Sequence, residues 1–227
     1  ALESPLINSV STLQSSIGLN LNKEDLTFNT EVQIYENLNA DKIDRYEYIL
    51  PAYTLSKNLD YTFNTNGQST FTSSGYIKNY NTNITEKRNI NNLLYSSDYR
   101  YSKIGLQKNY NILLKNVNET GKNSPSIKEK RNYTIGSLFQ YNLAYPLINE
   151  GKNYTDFLTP ISTLNFSPNK SKNYRNTDSR IDFTNIFSLN RSGEQDSVEG
   201  GLSLVYGLEY FKTNKNNKNI LEANIAN

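Results

Sequence analysis

Residues 131–147 read RNYTIGSLFQYNLAYPL, and apolar and polar side chains alternate along this stretch with a period of two. Most odd positions are large and apolar or aromatic, whereas the positions between them, apart from Leu138, are small or polar. Successive side chains of a β-strand point to opposite faces, so this pattern predicts a strand with one apolar face and one polar face. The stretch is much longer than the 5–6 residues or so of a typical soluble strand, and it suits a tilted strand that crosses a bilayer.

The same period recurs along the chain, and no segment shows a comparable helical period. Clean alternation occupies 25–38, 103–117, 179–190 and 200–212, and weaker alternation occupies 10–20, 44–56, 69–80, 89–101 and 154–167. Residues 57–68 are ambiguous, and a further strand is expected to start near Ile220. The sequence therefore predicts an all-β fold. We expect an antiparallel up-and-down meander of about ten long strands, forming one partial transmembrane domain over 1–227, a segment of a large outer-membrane β-barrel.

The composition excludes several kinds of chemistry. The 227 residues include no Cys, His, Met or Trp, so thiolate and His-based catalysis and Cys- or His-based metal sites are impossible. A net charge of +2 is too balanced to indicate a nucleic-acid-binding protein. Carboxylates occur in pairs at Asp178 with Asp182 and Asp196 with Glu199, but sequence spacing does not establish the separation that acid–base catalysis requires. We therefore predict no enzyme activity, no catalytic residue, no metal site and no cofactor.

The predicted connections between strands carry positive charge. The basic residues in them are Lys87, Arg88, Lys122, Lys128, Lys130, Arg131, Lys170, Lys172, Arg175, Lys215 and Lys218. One interpretation is that these side chains lie beside an anionic glycolipid surface, where Lys and Arg attract phosphate groups. The alternative is ordinary solvated loop charge.

The densest group of motifs lies between Tyr154 and Tyr210. This region begins YTDFLTPISTLNFSP and ends DSRIDFTNIFSLNRSGEQDSVEGGLSLVYGLEY, and RYEYILP at 45–51 lies upstream of it. With these motifs, the sequence resembles the LptD family of lipopolysaccharide-assembly barrels in the Gram-negative outer membrane. The resemblance covers most of the chain.

The resemblance implies a function without covalent chemistry. LptD-like barrels receive lipopolysaccharide from a periplasmic LptA-like bridge through an N-terminal domain, and release it through a lateral seam among the lipids of the outer membrane. An LptE-like lipoprotein plugs the barrel lumen. About ten strands cannot close the widest barrels, and the chain ends in NIAN at 224–227 without a terminal aromatic residue. The resemblance therefore implies an interior barrel fragment that lacks the N-terminal domain.

Strand alternation and the family motifs together predict which residues face which side. The expected lumen-facing residues are Arg180, Asp182, Ser188, Asn190, Arg191, Asp196, Glu199, Gly200, Gly201 and Glu209. The expected lipid-facing residues are Ile135, Phe139, Tyr141, Leu143, Leu202, Leu204, Tyr206 and Leu208. The lumen-facing group either forms an inter-strand ladder of hydrogen bonds and ion pairs, or contacts a plug protein. Pro51, Pro146 and Pro160 lack an N–H donor, and each is expected at a strand end, a bulge or an unpaired position.

Two other functions remain open on the sequence alone. A different outer-membrane barrel, such as a porin or a solute receptor, would show the same strand pattern. A soluble β-sandwich that binds glycans would have shorter strands, and its apolar faces would pack against a second sheet.

Overall fold

The computed structural model describes residues 11–40, 45–60, 66–80, 83–170, 180–191 and 193–227, and it consists of antiparallel β-strands and their connections. The strands are β1 (Thr12–Asn22), β2 (Leu26–Asn37), β3 (Tyr46–Leu59), β4 (Gly67–Tyr80), β5 (Ile84–Ser97), β6 (Arg100–Tyr101), β7 (Gln107–Lys122), β8 (Asn132–Ala144), β9 (Leu147–Glu150), β10 (Tyr154–Ser167), β11 (Gly201–Asn214) and β12 (Asn219–Ala226). Within these described ranges, no helix has the length and apolar character needed to span a membrane.

Ten strands follow one another as neighbours in the order β1-β2-β3-β4-β5-β7-β8-β10-β11-β12, while β6 pairs with β7 and β9 pairs with β10. The prediction of an all-β antiparallel meander is therefore confirmed. The expected strand near Ile220 is also present as β12, which pairs with β11.

The predicted strand at 179–190 is wrong. Residue 179 lies outside the described residues, and 180–191 form turns and bends within the connection between β10 and β11. The reason is local hydrogen bonding: Ile186 N–H donates to Asp182 O at 2.9 Å and Ser188 N–H donates to Asn185 O at 2.9 Å. Asp, Asn and Ser commonly satisfy backbone groups in turns, and here they override an alternating pattern.

The connection expected between the alternating stretches 69–80 and 89–101 is shorter than predicted, because β5 already begins at Ile84. Lys87 and Arg88 therefore lie on a strand rather than in a loop. The charge-rich start of β5 obscures its alternation, and tertiary contacts supply partners for two of these charges: Glu86 with Ser124, and Arg88 with Glu119. Two of the predicted loop cations, Lys172 and Arg175, lie outside the described residues.

The three prolines occupy positions that need no N–H donor. The β2–β3 register shifts where Glu31 pairs with Ala52 and Gln33 pairs with Ile49, so Pro51 lies in a β-bulge. Pro146 separates β8 from β9, and Pro160 faces this break on β10, where its carbonyl accepts a hydrogen bond from Tyr145 N–H at 2.9 Å. The predicted placement of the prolines is confirmed.

The chain divides into two compact units, each with a small apolar core. The first comprises Ala1–Leu59, Thr70–Asn92 and Asn116–Ile135, and the second comprises Asp60–Ser69, Leu93–Lys115 and Gly136–Asn227. The buried apolar residues of the first unit are Ile90, Val117 and Ile127, and those of the second are Tyr95, Leu113, Leu138 and Val205.

Candidate functional site: a polar sheet face and the segment that covers it

In the second unit, the buried face of the sheet is rich in polar side chains. On β10, Thr163, Asn165 and Ser167 are buried, whereas the intervening Leu164 and Phe166 are exposed. On β8, Gln140 is only 2% exposed, while its neighbour Phe139 is exposed. A soluble antiparallel sheet normally shows the reverse arrangement, with its polar face toward water.

The apolar face is correspondingly open. Leu202 is 72% exposed, and Leu204 and Tyr206 follow it on the same face of β11. Ile135, in the part of β8 that belongs to the first unit, is 73% exposed. Of the other predicted lipid-facing residues, Phe139 is exposed, whereas Tyr141, Leu143 and Leu208 are half-buried.

Residues 180–191 and 193–200, called here the covering segment, lie against the polar face of the second unit. Lys115 Nζ donates a hydrogen bond to Gln195 O at 2.5 Å, and Gln140 Nε2 donates to Phe187 O at 3.2 Å. Two glycines permit close approach of the segment. A Cβ atom on Gly136 would lie 2.7 Å from Val198 Cγ2, and one on Gly207 would lie 2.8 Å from Phe187 Cζ.

A network of side-chain amides completes the contact with β8. Gln140 Oε1 accepts hydrogen bonds from Asn111 Nδ2 at 2.8 Å and Asn142 Nδ2 at 3.3 Å, while Asn142 Oδ1 accepts one from Thr163 at 2.8 Å. These bonds offset the desolvation of the buried polar groups. Beside them lies a cavity of about 240 Å³ lined by Asn142, Thr163, Phe187 and Glu209.

An Asp-centred turn begins the covering segment. Asp182 Oδ1 accepts hydrogen bonds from the Thr184 hydroxyl at 2.6 Å and from Thr184 N–H at 2.8 Å. The Thr184 hydroxyl is the main reason that the pKa of Asp182 is lowered, and the backbone N–H adds to the effect. Asn185 Nδ2 donates back to Arg180 O at 2.7 Å, so the turn stabilises itself locally.

An ion pair closes the other end of the segment. Arg191 Nε donates to Glu199 Oε2 at 2.8 Å, and Arg191 Nη2 contacts both Glu199 Oε1 and, at 3.1 Å, Ser203 Oγ on β11. The Arg191 side chain is largely buried. A bidentate guanidinium–carboxylate pair is geometrically specific, so it ties the segment to the start of β11.

The predicted lumen-facing residues therefore divide into two groups. Arg180, Asp182, Ser188, Asn190, Arg191, Asp196, Glu199 and Gly200 belong to the covering segment, not to a strand face, whereas Gly201 and Glu209 lie on β11. Within the first group, Arg191 and Glu199 are brought together as an ion pair. Gly201 has a φ of 94°, a conformation that favours glycine at the entry to β11.

Sequence reasoning missed two residues that hold the segment in place. Lys115 lies on β7 between Leu113 and Val117, on the same buried face, and Gln140 occupies a polar position of β8. The sequence did contain a signal for Lys115, because apolar residues lie two positions away on both sides of it. This pattern predicts that the lysine is buried, and a buried ammonium group needs a hydrogen-bond acceptor. Its partner, the carbonyl of Gln195, could not be identified without the fold.

The first unit has a comparable polar anchor. Glu86 on β5 is buried, and its Oε1 accepts hydrogen bonds from Ser124 at 2.5 Å, Ser126 at 2.8 Å and Tyr80 at 2.9 Å. Nearby, Arg88 pairs with Glu119 at 3.2 Å. These contacts tie the connection after β7 to the strand surface. Across the parts of the chain that the structure describes, no three acidic side chains cluster as a metal site would require.

An antiparallel meander that exposes apolar side chains and buries polar ones is the arrangement of an outer-membrane β-barrel protein. The chain belongs to the LptD family, since the family model described as LPS transport system D matches residues 3–227. This is a family of lipopolysaccharide transport proteins of the Gram-negative outer membrane and not a known enzyme family. No curated protein sequence matches the chain.

Proposed function

We propose that the chain forms part of the wall of an outer-membrane translocon that inserts lipopolysaccharide into the outer leaflet. The exposed apolar face contacts hydrocarbon, and the opposite face lines a hydrated interior. The observation that carries this proposal is the burial of Asn165 and Gln140 beside exposed Leu164 and Phe139. In water this arrangement would leave apolar area unburied, but in a bilayer the same area is covered by acyl chains.

The polar face supports a passage role in two ways. Its amide network offers hydrogen-bond donors and acceptors to water or to sugar hydroxyls, and its charges are held in pairs such as Arg191 with Glu199. The covering segment touches this face through a few contacts, chiefly those of Lys115 and Gln140. We infer that the interior is wet and partly occupied by the chain's own connection.

Two partners belong to the proposal. An LptE-like lipoprotein would occupy the hydrated side, in contact with polar side chains that the covering segment does not cover. An LptA-like periplasmic bridge would deliver the lipid to the assembly. The family membership supports both partners. It also supports the proposal that residues 1–227 act as one membrane-embedded barrel domain.

The absence of Trp from the sequence makes a direct test of orientation possible. Single Trp reporters would be placed at the exposed positions Ile135 and Leu204, and in the covering segment at Phe183 as the matched control. The full chain is reconstituted in phosphatidylcholine vesicles with and without brominated acyl chains. We expect strong quenching at 135 and 204 and little at 183. Equal quenching at all three positions, or stronger quenching at 183, would contradict the proposed orientation.

A further inference from the structure

A cavity of about 370 Å³ opens on the first unit, across β3, β4, β5, β7 and the start of β8. The strand register identifies its face. Leu19 pairs with Thr30 and Thr30 pairs with Tyr53, so Tyr53, which lines the cavity, shares the face of the exposed Leu19. The cavity therefore lies on the apolar, outward face of this unit.

Asn89 and Asn118 line this otherwise largely apolar cavity, and they belong to a hydrogen-bond network with Ser73 and Asn91, which do not line it. Ser73 Oγ donates to Asn91 Oδ1 at 2.8 Å, Asn91 Nδ2 donates to Asn89 Oδ1 at 2.6 Å, and Asn118 Nδ2 donates to Asn89 Oδ1 at 3.1 Å. Asn89 Nδ2 in turn donates to the Tyr53 hydroxyl. Polar side chains directed at hydrocarbon carry a desolvation penalty, and mutual hydrogen bonds offset only part of it.

Two cations line the cavity near the ends of their strands. Lys87 lies close to the start of β5, and Arg131 immediately precedes β8. Both are exposed, and neither forms an ion pair with any residue in the described ranges. Because β7 separates β5 from β8, adjacent-strand spacing places the two backbones about 10 Å apart.

Apolar and aromatic groups surround these polar features. Ile77 and Pro51 line one side of the cavity and Tyr133 lines another, and the exposed Ile135 continues the face beyond Tyr133. A Tyr ring beside Lys and Arg at a strand end is typical of the membrane–water boundary. Cations at the rim and an apolar surface beside them match an amphiphile with an anionic head and acyl chains.

We propose that this cavity binds the phosphorylated headgroup of lipopolysaccharide on the outward wall of the barrel. The inference rests on the proposed function, because it requires this face to lie in the membrane. Two separated cations favour a headgroup that carries phosphates at both ends of a disaccharide over a glycerophospholipid that carries a single phosphate.

The test uses the full chain in phosphatidylcholine vesicles, with Tyr133→Trp as the only Trp. Purified lipopolysaccharide or phosphatidylglycerol is added at matched mole fractions, and the Trp emission is titrated. The test variant is Lys87→Gln/Arg131→Gln. The matched control is Lys152→Gln/Lys215→Gln, which removes the same charge from exposed positions that do not line the cavity. Circular dichroism verifies that both variants keep their strand content.

We expect lipopolysaccharide to shift the Trp emission at lower mole fraction than phosphatidylglycerol does. The test variant should weaken this apparent affinity on the order of tenfold or more, because it removes two charge-assisted contacts to phosphate, and the control should not. Equal responses to the two lipids, or equal losses in the two variants, would overturn the headgroup site. Quenching of the same reporter by brominated lipid is measured in parallel. Quenching without a lipopolysaccharide-specific response refutes the headgroup site alone, whereas a lack of quenching refutes the membrane orientation as well.

Discussion

Lys115 Nζ lies 2.5 Å from the carbonyl oxygen of Gln195, which follows it by 80 positions in the chain. The lysine is only 7% exposed, and the neighbouring Asp196 interacts with it electrostatically. A buried ammonium is tolerated only where acceptors replace its water. This contact therefore couples the middle of β7 to the connection before β11, and it is a charged anchor of the covering segment.

Replacing Lys115 with Met should loosen the covering segment while leaving the strands intact. Met keeps most of the side-chain volume but cannot donate to Gln195, and a hydrogen bond from a charged group contributes about 1.5–3 kcal/mol. We expect tryptic cleavage at Arg191 in detergent to accelerate on the order of tenfold. Lys108→Met, at an exposed position of the same strand, is the control. Equal cleavage rates in the two variants would show that Lys115 does not hold the segment.

The Arg191–Glu199 pair should show coupling in a double-mutant cycle. Arg191→Gln removes the bidentate contact and leaves Glu199 half-buried without its guanidinium, so we expect protection of the segment to fall by roughly 1–2 kcal/mol. Adding Glu199→Gln to the Arg191→Gln variant should then reduce the protection of the segment by less than Glu199→Gln does in the original chain. Hydrogen exchange of residues 180–191 and 193–200 measures each step. Strictly additive losses would indicate that the two side chains act independently.

Gly136 should tolerate a side chain only if Val198 is shortened. A Cβ atom at this position would lie 2.7 Å from Val198 Cγ2, which is closer than side-chain atoms normally approach. We expect Gly136→Ala to cost about 1–3 kcal/mol of segment stability through overpacking. Val198→Ala in the same chain should restore much of the loss, as measured by the same hydrogen exchange. A failure of Val198→Ala to rescue would mean that the strain lies elsewhere.

The turn at Asp182 should weaken in acid. Its pKa is lowered in the folded chain by the hydrogen bond from the Thr184 hydroxyl, so the ionised carboxylate favours the turn. This stabilisation is complete above the ordinary Asp pKa of about 3.9 and is lost as pH falls through the lower folded value. We expect the exchange protection of Thr184 N–H, corrected for intrinsic rates, to drop below about pH 4. Asp182→Asn should remove this pH dependence, and an unchanged acid transition in that variant would exclude Asp182 as its origin.

Much of the fold was predictable from the sequence, because period-two alternation survives wherever one strand face is apolar. The strands in 131–147 and 200–212 show this directly. Regular alternation does not always produce a strand, as the region 179–190 shows. Its alternation is as regular, yet Asp182 and Asn185 bond to nearby backbone groups and form turns instead. At the start of β5 the prediction was wrong in the opposite sense. The charged residues Glu86 and Arg88 are typical of a loop, but they lie on a strand because Ser124 and Glu119 serve as their partners.

The candidate site was predictable in residue type but not in arrangement. The motif that contains Arg191 and Glu199 stood out, but their pairing across a bend, and the roles of Lys115 and Gln140, depend on contacts between distant parts of the chain.

The sequence by itself determined that this chain makes long antiparallel strands with one apolar face, since backbone geometry turns a period of two into two faces without reference to any partner. Only the tertiary structure decided which polar groups are buried, and that a connection rather than a strand lies against them. The reason is that the free energy of a buried charge or amide depends on an acceptor or donor within about 3 Å. For Lys115, that acceptor belongs to a residue far along the chain.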